Sequence, residues 1–123
     1  MTATLADRAA RAAERARRHA LAFPGSVSKD ALPWSVIEAF DADIRGQVER
    51  DRRIEDERDR VLIAAVALAE TPPDEAGAVA AARRHLVDAI DYLEQAVLRF
   101  GVLDHRGAGR GPAQAGRRGR GVT

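Results

Sequence analysis

Apolar residues recur along this chain with helical spacing, and the kind of apolar residue changes from one stretch to the next. Leu5, Ala9, Ala12, Ala16, His19 and Phe23 follow steps of four and three, the trace of one helix face. The run Ala3 to Leu21 is built from strong helix formers with no Gly or Pro inside, so a first helix is predicted there, ended by Pro24-Gly25-Ser26. Its face is almost all alanine and buries little area, so the helix needs docking to persist.

A second helix is predicted from between Pro33 and Ser35 to about Glu70. Ser35 with Glu38 reads as a capping box, Pro33 suits a first turn, and Gly46 is the weak point inside. Thr71-Pro72-Pro73-Asp74 is the clearest punctuation: Thr71 can cap the next helix and Pro72 can occupy its first position. The third helix is expected over about 72 to 101, with the seam Val79, Ala82, Leu86, Ile90, Leu93, Val97 and Phe100, and Gly101 as its stop. No alternating strand pattern or internal repeat is visible. The expected fold is all-α: a long antiparallel helical hairpin over 34–103, preceded by a basic N-terminal helix within 1–25 and a linker at 26–33, three-helix bundle-like. Residues 104–123 hold Arg and Gly with little apolar content, which predicts a disordered tail.

The pattern contains one conflict. Between Glu49 and Arg60 only Ile54 carries no charge. Continued as one helix, the core line through Ile44, Val48, Leu62 and Ala65 passes through Asp51, Glu55 and Arg58, and Leu86 to Leu93 would face that stretch. Unpartnered buried ions cost several kcal/mol each. Two arrangements resolve this. The first helix can pack into the gap, its alanines covering Leu86 and Ile90 while Arg11, Arg15, Arg17 and Arg18 answer the acids at 55–57. Alternatively Leu86, Ile90 and Leu93 form an interaction surface for a second chain.

Charge sharpens the division. Residues 34–103 carry nine Arg against fifteen acids, whereas 104–123 carry five Arg against Asp104. The candidate nucleic-acid contacts are therefore Arg11, Arg15 and Arg18 on the first helix with Arg106, Arg110, Arg117, Arg118 and Arg120 in the tail, which could neutralise phosphates without reading sequence. The chain has no cysteine, which removes disulfides and thiol chemistry. No stretch reaches the roughly 20 apolar residues of a membrane span, and a cytoplasmic location is expected.

Catalytic signals are sparse. Asp56 and Asp59 with Asp88 and Asp91 imitate the paired carboxylates of Mg²⁺-dependent all-α pyrophosphohydrolases, but helical phase turns Asp88 and Asp91 away from the second helix. His85 and Asp88 share a helix face without a third ligand, and His19, His85 and His105 fall on different elements. No catalytic residue, cofactor site or metal site is assigned, and no small-molecule substrate is evident. Trp34, Phe40, Phe23 and Phe100 are expected in the core at one end. The sequence thus predicts a non-catalytic helical interaction module with a protein partner or a second copy of itself. Nucleic-acid association is the alternative, and a Mg²⁺-dependent enzyme stands third.

Overall fold

The computed structural model describes residues 3–25 and 27–103. They form four helices: α1 (Leu5–Ala22), α2 (Leu32–Asp41), α3 (Arg52–Glu70) and α4 (Ala76–Phe100). The all-α class is as the sequence predicts, but the long second helix is divided in two. Each helix packs on two others, α1 on α2 and α4, and α3 on α2 and α4, so the four close into a ring around one core. Arg17 meets Asp91 and Glu94 while the Phe23 carbonyl meets Arg83, so α1 and α4 run in opposite directions. The pairs Arg15–Asp43 and His19–Ser35 set α2 antiparallel to α1 in the same way.

The start of α1 is fixed locally. The Thr4 hydroxyl accepts the Asp7 amide and the Asp7 carboxylate accepts the Thr4 amide, both at 3.1 Å, a reciprocal capping box. These two hydrogen bonds, from the Thr4 backbone first, lower the Asp7 pKa. Ala9, Ala12, Ala13, Ala16 and Ala20 are all buried, so the alanine seam is the docked face. Small side chains let the α1 backbone approach its neighbours closely, and the bulk is supplied from opposite by Leu86, Ile90, Leu93 and Val97 on α4.

The predicted second helix breaks because Gly46 adopts φ +83°, a left-handed conformation that a right-handed helix cannot contain. Residues 42–51 instead form turns, with Arg45 N–H donating to the Asp41 carbonyl at 2.8 Å and Val48 N–H to Ile44 at 2.9 Å. Asp51 then opens α3 as its N-cap, its carboxylate accepting the Arg53 amide at 2.8 Å. The break resets the helical phase. Asp51 becomes a cap, Ile54 turns into the core, and Glu55 is left partly exposed beside Arg50.

Three further boundaries differ from expectation. α2 starts at Leu32 behind Ala31 with no side-chain cap, so Ser35 lies inside the helix and bonds His19 instead of capping. Thr71 ends α3 instead of starting α4, its hydroxyl donating to the Ala67 carbonyl at 2.7 Å. α4 begins after Glu75, whose side chain makes no capping bond. Gly101 does stop α4, but at φ −78°; a side chain there would strike the Val97 carbonyl and crowd Val48. Beyond it the chain lies against the 42–51 connection, with Glu49 N–H donating to the Val102 carbonyl at 2.7 Å and Leu103 bridging Val48. The tail 104–123, with Arg106, Arg110, Arg117, Arg118 and Arg120, lies outside the described residues. Among the described residues, no helix is long and apolar enough to cross a membrane.

Candidate partner-binding surface

The charged stretch is resolved mostly by its own neighbours. Arg58 remains on the core side of α3, four residues after Ile54 and three before Val61. Its guanidinium grips Asp41 at the end of α2, with Nε to Oδ1 at 3.2 Å and Nη2 to Oδ2 at 2.7 Å. The side chains are 17% and 15% exposed, so this pair is largely withdrawn from water. Hydrogen bonding to Asp41, aided by the nearby charges of Asp41, Glu55 and Asp59 and opposed by burial, pushes the Arg58 pKa further up. Arg50 and Arg60 pair with Glu55 and Glu57. The first helix does cover Leu86 and Ile90, but its arginines face elsewhere: Arg17 bridges Asp91 and Glu94 on α4, and Arg15 Nε lies 3.1 Å from Asp43. That last contact is an ion pair by distance, at an angle too oblique for a hydrogen bond.

Leu86, Ile90 and Leu93 are completely buried. They are the floor of the bundle and present no surface to a second chain, because α1 already occupies the place where that chain would sit. The aromatics divide as well. Phe40 and Phe23 are in the core, and Phe100 lies partly buried under Arg53, whose guanidinium stands 3.9 Å from the ring centre. Trp34 is exposed, contrary to expectation, because helical phase turns it away from the face of α2 that buries Leu32, Val36, Ile37 and Phe40.

Apolar surface appears elsewhere, on the outside of the α3–α4 pair. Ile63 and Tyr92 are 68% and 64% exposed and line one cleft of about 440 Å³ together with Ala89. Glu57 and Arg60 of α3 and His85 and Asp88 of α4 complete it. The signal was present in the sequence. Ile63 falls opposite Val61 and Leu68 on its helix, and Tyr92 falls off the Leu86–Leu93 line, so both are apolar residues outside the core phase.

Arg11, Arg15 and Arg18 share one exposed strip of α1, spaced four and three apart, around a hollow that Glu14 and His19 also line. Glu14 pairs with Arg18 and Asp43 with Arg15, so two of the three cations carry a counter-charge. The four aspartates do not converge. Asp91 is held by Arg17 toward α1, while Asp88 faces the outer cleft. Among the described residues no group of three or more potential ligands gathers to hold a metal ion. Compared with protein-family models, curated proteins and solved structures, the chain matches none.

Proposed function

We propose that this chain is a small helical interaction module that binds a second copy of itself through the outer α3–α4 cleft. The observation that carries this reading is the pair Ile63 and Tyr92, two large side chains left in water across one cleft. Aromatic and branched anchors surrounded by polar groups are the usual centre of a protein interface. The choice of a second copy rests on charge. The cleft carries Glu57 and Arg60 on one helix and His85 and Asp88 on the other. A two-fold axis across it brings the acid of one copy to the cation of the next without requiring a different partner. The same reading puts the module in the cytoplasm, where a chain without cysteine needs no oxidising compartment.

Light scattering coupled to size exclusion tests this on the full chain. The expected result is a dimer at micromolar concentration that becomes monomeric in the Ile63→Glu, Tyr92→Glu variant with its helical circular dichroism unchanged. A monomer in the unmodified protein, or a dimer indifferent to both substitutions, would overturn the proposal.

A further inference from the structure

At the opposite end of the bundle from the 42–51 connection, the α1–α2 link and the α3–α4 turn enclose a second hollow, of about 390 Å³. That volume lies within the range of about 300–1,000 Å³ typical of small-ligand sites. Its apolar wall comes from both connections, with Phe23, Pro24 and Val27 on one side and Ala69, Pro73 and Val79 on the other. Into this apolar setting project two cations, Lys29 and Arg83, and no carboxylate is among the lining residues. Asp30, Asp74 and Glu75 are close in sequence but do not line the hollow.

Arg83 differs here from Arg17 and Arg58. Arg17 and Arg58 are each answered by carboxylates, as the cost of withdrawing a charge from water demands. Arg83 donates from Nη2 to the Phe23 carbonyl at 2.8 Å, a neutral acceptor, which holds the guanidinium against the wall. Among the described residues neither Arg83 nor Lys29 forms an ion pair, and Arg83 Nε is buried without a hydrogen-bond partner. A positioned, part-buried guanidinium with an ammonium nearby and apolar walls around it is complementary to a carboxylate joined to an apolar body. We propose that this hollow binds a small apolar monocarboxylate. The carboxylate meets Arg83 and Lys29, and the hydrocarbon lies against Phe23, Val27 and Val79. The site shares no residue with the outer α3–α4 cleft, so it stands or falls independently of self-association.

Octanoate is the probe, titrated into the full chain by calorimetry and by amide chemical-shift mapping, with octanol as the uncharged comparator. The expected result is saturable octanoate binding with shifts confined to residue 23, 27–29, 69–79 and residue 83. Octanol should bind at least about tenfold more weakly, the loss of one charge-assisted contact. Lys29→Met should weaken octanoate several-fold, and Val79→Trp should abolish binding by filling the hollow while leaving helix content intact. Equal affinity for octanol, shifts centred on Ile63 and Tyr92 instead, or no saturation at millimolar octanoate would each overturn the assignment. Lys29 is exposed, so its variant tests the cation without disturbing the core.

Discussion

The α1–α4 seam and the α2–α3 seam both join apolar faces with an arginine, and they use it differently. Between α1 and α4 the contact is alanine against Leu86, Ile90 and Leu93, and Arg17 bridges Asp91 and Glu94 at the margin, 28% exposed. Between α2 and α3 the arginine is part of the seam itself, because Arg58 occupies a core-side position of α3 and takes Asp41 in with it. A charge at the edge of an apolar contact keeps more of its hydration and, shared between two carboxylates, depends less on either one. A charge inside one has exchanged its hydration for a single partner, and the seam then depends on that partner. Similar side chains thus have unequal importance because of where the helix phase puts them.

The comparison is tested most severely at Asp41. Asp41→Ala strands Arg58 and should cost about 2 kcal/mol in chemical denaturation, between the values for exposed and fully buried pairs. Adding Arg58→Met should recover most of that loss, since an apolar side chain suits the site. A double variant no more stable than the single would show that the stranded charge is not what limits the seam. A smaller effect is expected on the other side. Arg17→Ala should cost about 0.5 kcal/mol and its effect should shrink in high salt, readable in the same denaturation midpoints. The finest distinction comes from acid. Asp7 caps α1 through Thr4, and Asp51 caps α3 through hydrogen bonds to the Arg53 side chain and then its backbone, so both pKa values are lowered. The stability each adds is present above the ordinary aspartate pKa of 3.8 and is lost as the pH falls below it through the folded-state value. Asp7→Asn and Asp51→Asn keep a capping oxygen and remove the charge, and each should flatten part of the acid limb of a stability–pH curve. An unchanged limb in both would place the acid sensitivity elsewhere.

The helices whose faces repeat without interruption were legible in the sequence. The seam from Leu86 to Val97 is buried as its spacing requires, and the alanine face of α1 is the docked one. The 42–51 break was not legible, because Gly46 alone reads as a tolerable flaw inside strong helix formers. Asp51 looked like a misplaced core charge when it was a cap. That single misreading carried the rest. A continuous helix sets Leu86, Ile90 and Leu93 against charge and makes them look available to a partner; breaking it lets the ring close and hides them. The outer cleft went unseen for a related reason, since a search for a core follows the apolar line and passes over Ile63 and Tyr92 beside it. The hollow around Arg83 needs two connections brought together, and no local spacing encodes that.

Trp34, the one tryptophan in the chain, stands 62% exposed on α2. More than half of its surface is already in water in the folded protein, so the emission maximum should move less on unfolding than that of a buried tryptophan. Fluorescence is therefore a poor reporter of this protein's unfolding and a sensitive one of anything that settles on α2. A blue shift beyond that of the folded chain means that something has covered α2.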